Sequence, residues 1–178
     1  MNTLVNAGVA NASTIQSNTY HTDNTVEMYM LGYVYDKNEW LFQSEYVSRK
    51  SKSDIVLDLD GFSLMGGYRI AKWTPFLGYA HMSTKNPVIL PSLNTSSLPP
   101  GQAGIINALN ATYQMRHNRS TWSMGTRWDV IDNVALKVQF DRTDKEKGGT
   151  GLFVNSTPEF NNNDRKINVY SGTLDFVF

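Results

Sequence analysis

The sequence predicts an all-β fold: an antiparallel up-and-down transmembrane β-barrel of which about seven strands are present. Three observations predict it. The last residues alternate strictly, with Phe178, Phe176, Leu174, Gly172 and Tyr170 on one side and Val177, Asp175, Thr173, Ser171 and Val169 on the other. A period of two places two different solvents on the two faces of a strand. Segments of the same kind recur along the chain, separated by turn residues. The connections also alternate in length: short at 36–38, 71–74 and 131–133, longer at 51–60, 84–118 and 144–166. Outer-membrane barrels sort their connections this way, with tight turns on one side of the bilayer and long loops on the other.

Residues 1–24 are rich in Asn, Thr, Ser and Ala without a sustained period and read as loop; residues 25–178 carry the strands. The first strand is expected at Val26–Tyr35, with both faces partly apolar, and Asp36-Lys37-Asn38 as a turn. The second, Glu39–Arg49, sets Trp40, Phe42, Ser44 and Tyr46 against Leu41, Gln43, Glu45, Val47 and Arg49. The third, Gly61–Ala71, sets Phe62, Leu64, Gly66, Tyr68 and Ile70 against Ser63, Met65, Gly67 and Arg69. The fourth, Pro75–Ser83, opens on its proline, where a missing N–H costs least.

Thr84–Asn118 is the longest irregular stretch. Ile105, Ile106, Leu109 and Tyr113 stand at helical spacing within it, and the segment reads as an external loop with a helical turn. The fifth strand, Arg119–Val130, alternates Trp122, Met124, Thr126, Trp128 and Val130 with Ser123, Gly125, Arg127 and Asp129. The sixth, Val134–Thr143, sets Val134, Leu136, Val138 and Phe140 against Lys137, Gln139 and Asp141. Asp144–Lys166 reads as polar loop, and Ile167–Phe178 as the seventh strand.

Composition excludes several functions. The longest apolar run falls short of 18 residues and mean hydropathy is −0.37, so no transmembrane helix is expected. The 16 basic and 16 acidic residues cancel, which argues against a nucleic-acid partner. With no cysteine there is no disulfide framework or thiolate metal site. His21, His81 and His117 are scattered, and Asp58 with Asp60 is too small a set for calcium, so no metal and no cofactor are expected. No nucleophile elbow occurs, and no enzyme activity is expected. Met1–Gln16 holds no Lys or Arg, so the chain reads as lacking a signal peptide, either processed or a C-terminal piece.

If the aromatic side of each strand meets lipid, the other lines an interior. Its charges are then Glu45, Arg49, Arg69, Arg127, Asp129, Lys137, Asp141 and Asp175, the expected pore-lining set. Trp40, Trp73 and Trp128 fall beside the short turns, the placement of interfacial aromatics. Two other readings use the same alternation. One is a small eight-stranded outer-membrane barrel with a structural or adhesive role, which needs a strand from residues 1–24. The other is a soluble lipocalin-like binder with the apolar side turned inward.

Leu41–Tyr46, Trp73–His81, Gly125–Asp141 and Val169–Phe178 together resemble the C-terminal part of the general porins of Gram-negative bacteria. The resemblance implies a barrel of roughly sixteen strands around a water-filled pore, in the outer membrane, usually as a homotrimer. It implies passive diffusion of small hydrophilic solutes and ions. It implies contact with outer-membrane lipid. It also implies that Tyr170, Leu174, Phe176 and Phe178 form a C-terminal signal read by the barrel-assembly machinery. Seven strands in 178 residues are about half of such a barrel, which a fragment or a truncated porin would explain.

Overall fold

The computed structural model describes residues 25–52, 56–85, 100–101, 103–104, 117–149, 153 and 157–177. Seven strands form one antiparallel sheet in sequential order, β1 to β7, each hydrogen-bonded to its neighbours in the chain. They are β1 Val26–Lys37, β2 Trp40–Ser51, β3 Leu59–Tyr68, β4 Trp73–Thr84, β5 Arg119–Ile131, β6 Val134–Lys145 and β7 Arg165–Phe176. A short helix, α1, spans Pro158–Asn162 within the segment read as loop. Among the described residues β1 and β7 are the edges, and each pairs on one side only.

The strands exceed the sequence-based bounds at most ends, for a local reason. Lys37 pairs with Trp40, Ile70 with Trp73 and Ile131 with Val134, so each short connection is a two-residue hairpin loop. Asp36, Lys37 and Trp73 therefore belong to ladders or bridges, although their neighbours carry turn chemistry. Asn38 takes the left-handed conformation that tight hairpins require, φ 55°, and Ala71 does so at φ 52°. Pro75 is not the first residue of its strand. It falls one residue outside the β3–β4 register, which starts at Gly67↔Phe76, so its missing N–H interrupts no paired position there.

In β5 the register slips between Asp129 and Ile131. Val130 is the extra residue of a bulge, not the next member of the Trp128 face. The bulge is tied to the β3–β4 turn: Lys72 Nζ donates to the Val130 carbonyl at 2.9 Å, and the Asp129 amide to the Lys72 carbonyl at 2.8 Å. α1 begins at a conventional cap, with the Thr157 hydroxyl accepting from the Phe160 amide at 3.2 Å. The helical spacing at Ile105, Ile106, Leu109 and Tyr113 and the whole of residues 1–24 lie outside the described residues. Pro100, Gly101, Ala103 and Gly104 in the same connection are helical.

The sheet has almost no core of its own. Among the described residues, Leu57 and Ala135 are the buried apolar ones. Twelve-residue β1 is exposed along its whole length. Bare apolar surface on this scale marks a face that meets something other than water.

Candidate functional site: a sheet with two chemically different faces

Directly opposed residues of neighbouring strands share a face, so the register sorts every strand position. One face collects Tyr33, Trp40, Phe42, Tyr46, Phe62, Leu64, Tyr68, Trp73, Leu77, Tyr79, Trp122, Met124, Trp128, Leu136, Val138, Phe140, Tyr170, Leu174 and Phe176. The other collects seven of the eight charges expected from alternation, Glu45, Arg49, Arg127, Asp129, Lys137, Asp141 and Asp175, and Arg69, just past the end of β3, joins them through its bridge to Asp36. β1 contributes to both. Tyr29, Leu31, Tyr33 and Tyr35 join the aromatic face, while Met28, Met30 and Val34 lie on the polar one.

The aromatic face is ordered along the strands. At the hairpin end Trp40 meets Tyr68 edge-on at 4.9 Å, and Trp73 stacks on Trp128 at 5.1 Å with planes 2° apart. A second line of rings lies toward the long connections: Phe62–Tyr79 at 5.8 Å, Tyr79–Trp122 at 4.8 Å and Phe140–Tyr170 at 5.0 Å. Between the lines stand Ser44, Leu64, Gly66, Leu77, Met124, Thr126, Val138 and Gly172. Apart from Lys37 beside the first hairpin, no Asp, Glu, Lys or Arg interrupts this face until the far strand ends. There Glu27, Lys50, Asp60, Arg142, Asp144 and Lys166 appear. About eight to ten residue steps of ~3.3 Å, at the ~40° tilt usual for barrel strands, span ~20–25 Å.

The polar face is cross-linked differently. Arg69 on the β3 side holds Asp36 of β1 in a two-pronged bridge at 2.7 and 2.8 Å. Arg127 of β5 reaches its own strand's Asp129 at 2.8 Å and Asp175 of β7 at 3.3 Å. Lys137 Nζ of β6 lies 4.9 Å from the ring centre of Phe76 in β4. Each of these last contacts skips a strand. Alternate strands are ~9.5 Å apart, so side chains close that gap only where they converge. Among the described residues, ring contacts on the aromatic face join adjacent strands only. In β3 and β4 the polar-face positions are also the less exposed ones, and both observations fit a sheet curled with its polar face inside (concave) and its aromatic face outside (convex).

Gly125 shapes the middle of the concave side. A Cβ there would overlap the Val138 carbonyl oxygen and come within 2.5 Å of Phe76 Cζ. The far edge of the Phe76 ring fills this gap, and the Lys137 ammonium lies over the ring. Beyond them Gln139 donates to both oxygens of Asp141, at 2.8 and 3.0 Å. Asp36, Phe76 and Gly125 escaped the sequence reading. Asp36 was assigned to a turn, and a ring lying over a glycine two strands from a lysine becomes visible only once the register is known.

At the far end of the strands two cations of the polar face bind backbone carbonyls of the described parts of the connections. Arg49 gives two hydrogen bonds to the Leu57 carbonyl, at 2.9 and 3.1 Å. Lys145 is 2% exposed and donates to the carbonyls of Glu146, Gly149 and Asn161, at 2.9, 2.9 and 3.4 Å, beneath the Phe160 ring. His117, just before β5, is half-buried. Burial, with Arg49 and Arg119 nearby, lowers its pKa from the ordinary 6.5.

No protein-family model, curated protein or solved structure matches the chain. The function is therefore argued from the two faces alone. Among the described residues no group of His, Cys, Asp and Glu is placed to hold a metal, and no helix is long and apolar enough to cross a membrane. Trp40, Trp73 and Trp128 sit together at the hairpin ends of the convex face. Tyr170, Leu174 and Phe176 lie on that face of the last strand, and Phe178 falls outside the described residues.

Proposed function

We propose that this chain is the C-terminal seven-stranded wall of an outer-membrane porin, through which small hydrophilic solutes and ions diffuse passively. The observation that carries the reading is the charge-free convex face. Its residues are bare: Leu77 is 54% exposed, Val138 57% and Leu174 58%. A soluble sheet that curls would turn such a surface inward, as a lipocalin-like binder does. The strand-skipping contacts of the polar face support the opposite curl, with hydrocarbon-compatible side chains outside and Arg127, Lys137 and Asp141 inside. A Lys or Arg on a lipid-facing position at mid-depth costs about 2–4 kcal/mol, and the convex face holds none there. The two ring lines match the girdles that flank an apolar band in such barrels.

The unpaired outer edges of β1 and β7 fit a wall that continues into further strands, since closure alone removes an edge. In such a barrel the channel needs no bond chemistry; it needs a wet lumen with fixed charges. The assembly role of the last strand and the trimer belong to the same proposal.

The test has two stages. The chain is first unfolded in urea and diluted into buffer, detergent micelles or lipid vesicles. Recovery of β structure only with micelles or lipid is expected; a monodisperse folded monomer in plain buffer rejects the reading. A complete barrel containing these strands is then recorded in a planar bilayer. Steady conductance whose ion preference moves toward cations on Lys137→Glu is expected, and a silent membrane rejects the channel.

A further inference from the structure

The cations at the far rim of the convex face have no role in a lumen. Arg142 stands on β6 two positions beyond Phe140, and its register partners are Trp122 on one side and Asn168 on the other. Lys166 lies on the neighbouring strand, one step farther from the hairpins and diagonal to Arg142. Both are exposed, and among the described residues neither forms an ion pair. Asp144, opposite Lys166, is half-buried, and both line a rim cavity of about 640 Å3, whereas Arg142 stands outside its lining. Trp122 stands beside Arg142, and Phe140 lies one step below, toward the apolar band.

Glu27, Lys50, Asp60 and Asp144 also lie at this end of the convex face, but among the described residues Arg142 and Lys166 are the pair of cations that stand together there on neighbouring strands. A guanidinium placed directly above a ring line on the outer face is costly unless it meets headgroups. A forked donor also matches a phosphate better than it matches water.

We propose that Arg142 and Lys166, with the Asn168 amide between them, bind the phosphate of an anionic lipid headgroup, while Trp122 and Phe140 form the shelf for the start of its acyl chains. The site rests on the membrane-spanning reading, and the occupant is a lipid of the leaflet on the long-loop side. It is not solute passing through the channel, because the site is on the opposite face of the wall.

The experiment uses Trp122 as a local reporter. In the full chain Trp40, Trp73 and Trp128 are changed to Phe, leaving Trp122 as the sole tryptophan. The protein is refolded into phosphatidylcholine vesicles containing either brominated phosphatidic acid or brominated phosphatidylcholine at low mole fraction. Phosphatidic acid is expected to quench Trp122 at a several-fold lower mole fraction. Each cation near an anionic lipid surface is worth about a fivefold change in affinity. Arg142→Gln together with Lys166→Gln should therefore abolish the preference, and Arg142→Lys should keep most of it.

Equal quenching by the two lipids in the parent protein overturns the site while leaving the membrane reading intact. So does a preference that survives the double substitution. No quenching by either lipid, in protein that has folded, overturns both. Folding of each variant is checked by its β-sheet circular dichroism, so a collapsed variant is recognised and replaced by the single substitutions.

Discussion

Gly125 and Phe76 act as one unit, and the cost of separating them belongs to these two residues. A valine at position 125 has to push the Phe76 ring off the sheet, because the ring already occupies the space of a β-carbon. Overpacking of this kind costs about 1–3 kcal/mol. Gly125→Val should lower the unfolding free energy from urea titration in micelles by about that amount, and Phe76→Ala should remove the ring's share of it in the double variant while the clash with the Val138 carbonyl remains. Additive losses would show that the two do not share the space. His117 supplies a pH-dependent term. Its folded pKa is depressed, so the unfolded chain binds the proton more readily. The stability tied to it is complete above pH 6.5 and declines as the pH falls below that value toward the folded pKa. Protease cleavage next to residue 117 should thus rise between pH 7.5 and 5.5 in the parent chain and much less in His117→Gln. Equal acid sensitivity in the two proteins would remove His117 from the account.

The seven strands were legible in the sequence because alternation is a local property that each strand displays by itself. Their ends were less legible. Lys37 looks like turn chemistry, yet it is paired with Trp40, because a two-residue hairpin loop leaves room for nothing else. The bulge at Val130 breaks the period without any change of residue type, so alternation ran straight through it. Helix α1 had a readable start in Thr157 and Pro158, but five residues are too few to show a helical period. The ion pairs were not legible at all: Arg127 and Asp175 are 48 residues apart and meet only through the curvature of β5 to β7. Lys145 belongs to this scale, since it fastens a connection to a strand. Charge-assisted bonds to carbonyls are worth about 1.5–3 kcal/mol each when made, and the ammonium has three acceptors. Lys145→Met keeps the packing under Phe160 and removes the donors. It should expose the 146–164 connection to trypsin or chymotrypsin while the strands remain resistant; unchanged cleavage would mean that α1 and its contacts hold the connection unaided.

For the whole molecule the decisive property is the direction of curvature relative to the two chemistries. A sheet with the same alternation but opposite curl would be a soluble container, and composition cannot tell the two apart. Contacts that skip a strand do so here: Arg69–Asp36, Arg127–Asp175 and Lys137–Phe76 all lie on the polar side. This makes a prediction whose sign differs between the alternatives. Val138 is 57% exposed in the middle of the convex face, and Ser123 lies on the concave face directly opposite Asp141. In a membrane wall Val138→Arg should cost about 2–4 kcal/mol of refolding free energy into lipid vesicles, while Ser123→Arg, which gains a carboxylate neighbour and keeps its water, should cost less than about 1 kcal/mol. In a water-surrounded sheet the order reverses: an arginine on exposed Val138 replaces bare apolar surface and raises solubility, whereas an arginine at Ser123 crowds the inside of the curve. Urea titrations of the two variants against the parent protein in vesicles, with solubility in plain buffer measured alongside, separate the alternatives by which variant loses more.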